Sequence, residues 1–186
     1  MRFIPFLPLP RSWIAESSDT VAVPLTSCRN ADATVIGAAA AGNFSIEGGG
    51  YGSGTLLLKG EEAISETETS YFMFEIAVPH EYISTANMWV NVTAIVAGAG
   101  TLGATKTIDM KIYENIGDGT ASADLCATAA QTLTTSSATY IFGMTEAAVL
   151  VSDRLSCFVE TSIIESVGTA IYVNVTDISF GYQGKG

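Results

Sequence analysis

Residues 87–97, Asn-Met-Trp-Val-Asn-Val-Thr-Ala-Ile-Val-Ala, decide the fold. Met88, Val90, Val92, Ala94 and Val96 fall on one phase of a period of two, and Trp89, Asn91, Thr93 and Ile95 fall on the other. Successive side chains of a strand point to opposite faces, so this run reads as a strand with an apolar inner face. The same rhythm recurs outward in both directions. Tyr71–Val78 sets Phe72, Phe74, Ile76 and Val78 to one side, and Thr107–Tyr113 carries Ile108, Met110 and Ile112 inward. Thr139–Met144 follows, then Leu155–Ile163 with Leu155, Cys157, Val159, Thr161 and Ile163 on one face. In Ala170–Tyr182 the apolar phase runs through Ile171, Val173 and Val175, then switches near Asp177 to Ile178, Phe180 and Tyr182. A one-residue change of phase within a strand predicts a β-bulge.

Shorter strands are expected around Val21, Val23 and Leu25, around Phe44 and Ile46, and over Thr55–Lys59. Eight or nine strands with Gly-, Ser- and Thr-rich connections predict an all-β chain. The expected form is an antiparallel β-sandwich with jelly-roll connectivity, one domain over residues 19–186. Glu61–Thr69 reads as a polar loop, and Gly48–Gly54 as a flexible or tightly turning one. Ala121–Leu133 has some helical spacing but is equally compatible with a sandwich loop.

The first eighteen residues, MRFIPFLPLPRSWIAESS, follow another logic. Pro5, Pro8 and Pro10 forbid a regular helix and cannot donate to a central ladder, so residues 1–18 read as an extended arm. Phe3, Ile4, Phe6, Leu7, Leu9, Trp13 and Ile14 make that arm as apolar as a core, and it needs a surface elsewhere to cover it. The run is short, broken by prolines and without a small-residue cleavage site, so we read it as an arm rather than a secretory signal. No stretch approaches the ~20 apolar residues of a membrane span, so no membrane partner is expected.

Of the 186 residues 15% are charged, with 19 carboxylates against 8 Lys and Arg and a net charge of −11. Such a body repels phosphate backbones, so no nucleic-acid partner is expected. Cys28, Cys126 and Cys157 form no CxxC or Cys/His cluster. Cys157 reads as a small core residue, a Cys28–Cys126 disulfide stays open, and an odd count leaves one thiol free.

Gly98-Ala99-Gly100-Thr101-Leu102-Gly103 matches the GxGxxG dinucleotide pattern and follows a strand. That pattern works only when a helix follows to hold the pyrophosphate. Here another alternating run follows, so we expect a hairpin loop. His80, the only histidine, stands beside Glu81 after Pro79 with no serine or cysteine motif near it, and reads as a loop residue. Glu114–Gly119 with Asp124 offers oxygen ligands but lacks the spacing of an EF-hand, and Asp118-Gly119 reads as turn chemistry. Asn43-Phe44-Ser45, Asn91-Val92-Thr93 and Asn174-Val175-Thr176 satisfy the glycosylation pattern, two of them inside strands. Glu61, Glu62, Glu66 and Glu68 read as solvated. No catalytic constellation, cofactor motif or metal cluster stands out, which argues against an enzyme. Trp13, Trp89 and Tyr51 are the candidate sugar-stacking aromatics, although packing explains Trp89 more simply.

Leu150-Val151-Ser152-Asp153-Arg154-Leu155 is similar to the turn before a late strand in jelly-roll modules, and Ile171–Phe180 is similar to their final strand. The acidic, Ala/Gly/Thr-rich body with its apolar arm resembles the head decoration, or cement, proteins of tailed bacteriophages. That resemblance implies a homotrimer on the outer surface of an icosahedral virion shell, clamping neighbouring copies of the major capsid protein. The alternative reading is a carbohydrate-binding jelly-roll module used for surface adhesion.

Overall fold

The alternation of residues 87–97 becomes β5 (Met88–Gly98), whose residues are buried and half-buried in strict turn from Met88 to Val96. This computed structural model describes residues 16–37, 43–48, 54–83, 87–116, 120–145 and 149–185. The other long strands are β4 (Thr67–Ala77), β6 (Leu102–Ile116), β10 (Arg154–Glu165) and β11 (Ile171–Lys185). Shorter ones are β1 (Glu16–Ala22), β2 (Ser45–Glu47), β3 (Leu57–Lys59), β7 (Thr120–Ala121), β8 (Gln131–Thr132) and β9 (Ala138–Gly143). Residues 121–133 hold short strand pairings and no helix. Among the described residues no helix is long and apolar enough to cross a membrane.

The strands form two antiparallel sheets. The first runs β2-β3-β11-β5-β9 with β1 beside β11, and the second runs β4-β10-β6 with β7 and β8 on β6. The pairs β3/β11, β4/β10, β5/β9 and β6/β8 are nested in chain order. A long antiparallel hairpin rolled across two sheets gives this nesting, which is the jelly roll the sequence predicts. The inner faces meet through Phe72, Ile108, Ile112, Leu155 and Cys157 of one sheet and Val90, Val92, Val175 and Phe180 of the other, each at most 1% exposed. Phe44 meets Phe72 edge-on with centroids 4.9 Å apart. Fully burying each such aromatic side chain contributes about 1.5–3 kcal/mol of gross stabilisation.

The bulge falls where the phase change predicts it. Val175 pairs with Ala94 and Asp177 with Thr93, leaving Thr176 as the extra residue and returning Ile178 and Phe180 to the core. The turn before β10 also forms as expected. Ser152 has φ 73°, Val78 and Asp153 share a backbone bond of 2.8 Å, and the Asp153 carboxylate accepts the Leu150 N–H.

Two expectations are corrected. The first strand does not run through Val23 and Leu25. Pro24 has no N–H for a ladder, so the strand ends at Ala22 with one further bond, Val23 N–H donating to Ile178 O at 2.8 Å, and Leu25–Ser27 form a 3-10 turn closed by Ser27 N–H donating to Pro24 O at 2.8 Å. β1 instead starts earlier, and Glu16, Ser17 and Ser18, at the end of the proposed arm, pair with Lys185, Gly184 and Gln183. The second correction concerns Gly98–Gly103, which is not a hairpin loop. It carries the chain from β5 in the first sheet to β6 in the second.

Its glycines are required by a neighbour, not by a nucleotide. A Cβ on Gly100 would stand 1.9 Å from the Thr169 carbonyl oxygen, and Gly98 has φ +116°. Both lie against the loop after β10, where the Glu165 side chain joins three connections. Its carboxylate accepts the N–H groups of Ser65 at 3.1 Å, Thr101 at 3.1 Å, Val167 at 2.7 Å, and Gly168. Burial pushes this carboxyl up, but the four backbone donors outweigh burial and hold it at about 2.

Candidate functional site: a cleft on the outer face of the second sheet

The outer phase of β4, β10 and β6 is set by the same alternation that fills the core. Pairing register aligns these residues into rows. Tyr71 stands beside Glu160, which stands beside Asp109. The next row holds Met73, Phe158 and Lys111, and the one after it Glu75, Ser156 and Tyr113. On the other side of the Tyr71 row lie Thr69, Ser162 and Thr107. Between these side chains lies a cleft of about 350 Å³, lined by Tyr71, Asp109, Lys111, Tyr113, Phe158 and Glu160, with Phe72, Met110 and Val159 beneath.

The aromatic groups are fixed from three strands. Phe158 of β10 and Tyr113 of β6 pack edge to face, centroids 5.9 Å apart at 74°. Tyr71 of β4 is 38% exposed on the same face. Backbone bridges from Arg29 to Met73 and from Asn43 to Tyr71 cover the outer edge of β4, so the wall that carries Tyr71 is held on both sides.

The polar groups differ in how far they are committed. Glu75 is engaged, with Arg154 Nη1 at 3.5 Å and Asn115 Nδ2 at 3.4 Å. Ser156 Oγ accepts Asn115 Nδ2 at 2.9 Å. Asp109 Oδ1 accepts the backbone N–H of Met110 at 2.9 Å. Among the described residues neither Asp109, Lys111 nor Glu160 forms an ion pair. Beside these charges, Tyr71, Tyr113 and Phe158 offer flat apolar contact. Such a cleft can bind a ligand that has an apolar face and a polar edge.

The residues singled out from sequence lie elsewhere. Phe3, Ile4, Phe6, Leu7, Leu9, Trp13 and Ile14 of the arm lie outside the described residues, as does Tyr51. Trp89 sits on the outer face of the first sheet, between Gly143 and Gly181, with its indole across Gly181. It packs, as its simpler reading has it. His80 is exposed in the turn after β4. Asp124 is occupied by the N–H groups of Ile112 and Cys126, each at 3.0 Å, while residues 117–119 lie outside the described set. No group of three metal-capable side chains stands together among the described residues. All three cysteines are free thiols. Burial pushes Cys28 up to about 12 against the opposing pull of the Arg29 charge, and burial raises Cys157 strongly.

Sequence reasoning missed Tyr71, Tyr113 and Phe158, although a signal was present. Each lies on the polar phase of a strand whose other phase is buried, and three aromatics on the outer phase of three strands are conspicuous once the strands are neighbours.

No protein-family model matches the chain, and no curated protein matches it in sequence. Among solved structures it is similar to the CBM22-1 xylan-binding domain of Xyn10C from Paenibacillus barcinonensis. The two are 10% identical with a TM-score of 0.43, over 90% of this chain and 86% of that one. No residue is carried over from that structure to this one.

Proposed function

We propose that the protein is a carbohydrate-binding β-sandwich that takes a saccharide along the outer face of β4, β10 and β6. The observation that supports this reading is the cleft in which Tyr71, Tyr113 and Phe158 stand among the uncommitted charges of Asp109, Lys111 and Glu160. A sugar ring has a C–H face that stacks on an aromatic side chain and a rim of hydroxyls that carboxylates and an ammonium can hold. The cleft, at about 350 Å³, has room for a short stretch of such a chain. Aromatic platforms also serve single-stranded nucleic acids, but those sites are electropositive, and this body carries −11. The function is binding, with no bond made or broken.

The shell-decoration reading places its contacts on residues 1–18, so one set of proteins separates the two. Retention on a panel of immobilised polysaccharides is measured for the full chain, for Tyr71→Ala, for Phe158→Ala and for a chain lacking residues 1–15. Removing either aromatic should weaken retention by several-fold to about tenfold, the scale of one lost ring contact. Removing residues 1–15 should leave it unchanged. Absence of retention on every glycan, together with loss of self-association or of shell binding on deleting residues 1–15, would favour shell decoration instead.

A further inference from the structure

Resting on that reading of the cleft, we infer that its preferred ligand is a glycan bearing protonated amino groups, an amino sugar without its acyl cap, rather than a neutral or acidic one. The inference comes from the row Tyr71–Glu160–Asp109. Glu160 and Asp109 occupy directly opposite positions on β10 and β6. Side chains so placed have Cβ atoms ~5 Å apart, and like charges there repel. Sheets usually relieve such a pair with a cation, but among the described residues no cation forms an ion pair with either carboxylate. Lys111, in the next row, pairs with neither carboxylate, and the one arginine bonded to a neighbouring acid, Arg154, is engaged with Glu75.

A ligand ammonium placed in this row meets two carboxylates and the ring of Tyr71 beside Glu160. Carboxylate and aromatic face both attract a cation, and both do so more strongly as the ligand displaces water. The same row repels the carboxylate of a uronic acid or a sulfate ester. The whole-body charge of −11 acts in the same sense at longer range. Lys111 and Tyr113 then face ring hydroxyls, with Phe158 as the stacking surface.

The test uses the full chain in calorimetric titrations with three hexasaccharides of one linkage: the β-1,4 glucosamine oligomer, its N-acetylated form and the unsubstituted glucose form. A pH at which the glucosamine nitrogen is charged is required. At low salt the amine form should bind about fivefold to tenfold tighter than the N-acetylated one, a preference shrinking towards parity near ~0.5 M salt. Glu160→Gln should remove most of that preference, weakening the amine form several-fold more than either neutral form. It should also melt no lower than the natural protein, because it relieves a like-charge pair. Equal affinity for the amine and neutral forms, or a preference that survives Glu160→Gln, overturns the inference and leaves the carbohydrate reading standing. Failure of all three oligomers, with none of the polysaccharides on the panel retained, overturns both. If a free linear polyamine bound as tightly as the glucosamine oligomer and Tyr71→Ala did not weaken the oligomer, the sugar assignment would fall and charge alone would explain it.

Discussion

Gly181→Ala tests how Trp89 is held, and the structure sets both the size and the sign of its effect. A Cβ at residue 181 would lie 2.1 Å from Cε2 and 2.3 Å from Nε1 of Trp89, where ordinary contact begins at 3.4 Å. The indole must move by over an ångström or leave the sheet, because the Gly181 backbone is fixed by its pairing with both Trp89 and Thr20. Overpacking of this kind costs about 1–3 kcal/mol. At ~2–4 °C per kcal/mol for a chain of this size, the melting temperature falls by on the order of 5 °C. Residue 181 has no positive φ, so alanine itself is unstrained there. Once Trp89 is alanine, the same change should therefore stabilise, by the ~0.5–1 kcal/mol that separates glycine from alanine within a strand. The assay is a double-mutant cycle by urea and thermal unfolding, with emission of Trp89 followed in a Trp13→Phe background. The expected result is a destabilising, red-shifting Gly181→Ala with Trp89 present and a stabilising one without it. Equal effects in the two backgrounds would refute the packing of Trp89 across Gly181, and with it the assignment of this residue to structure rather than to a ligand.

Two further outcomes follow from buried titratable groups. The folded-state pKa of Glu165 is depressed, to about 2 from 4.5, so its contribution to stability is fully present above pH 4.5 and disappears as pH falls through about 2. Urea midpoints of the natural protein and Glu165→Gln should accordingly differ most near neutrality and converge between those two values; a gap independent of pH would contradict the four-donor clamp. In the native protein a thiol reagent should label at most Cys126, slowly, because Cys28 and Cys157 are buried with raised pKa values, whereas unfolding in denaturant should expose all three. Rapid native labelling of Cys157 would mean that the two sheets part more readily than their packing allows.

Period two told which residues face inward, and it located the long strands and, near Asp177, the phase switch that the structure resolves as a bulge at Thr176. It does not tell which sheet the next strand joins. That is why Gly98–Gly103 reads as a hairpin from sequence and proves to be a crossing between sheets, its glycines answering to Thr169 rather than to a turn type. Pro24 is a legible stop, since it brings no N–H to a ladder. Glu165 was legible in part, since it continues the buried phase of Leu155, Cys157, Val159 and Ile163, and a carboxylate on that phase requires donors. Which donors came from chain segments 64 and 100 residues away, and no local pattern carries that information. The cleft has the same character. Tyr71, Phe158 and Tyr113 are each unremarkable outward residues until β10 sets β4 and β6 side by side.

The most direct test of the carbohydrate reading is a backbone amide correlation spectrum of the 19.4 kDa protein titrated with a saccharide that the polysaccharide panel identifies. Shifts are expected to concentrate on Tyr71, Asp109, Lys111, Tyr113, Phe158 and Glu160, to saturate together, and to leave Trp89, Asn91 and Ser179 on the opposite sheet unmoved. Shifts confined to the Trp89 face, or no saturable shift with any saccharide while the chain stays folded, would contradict it.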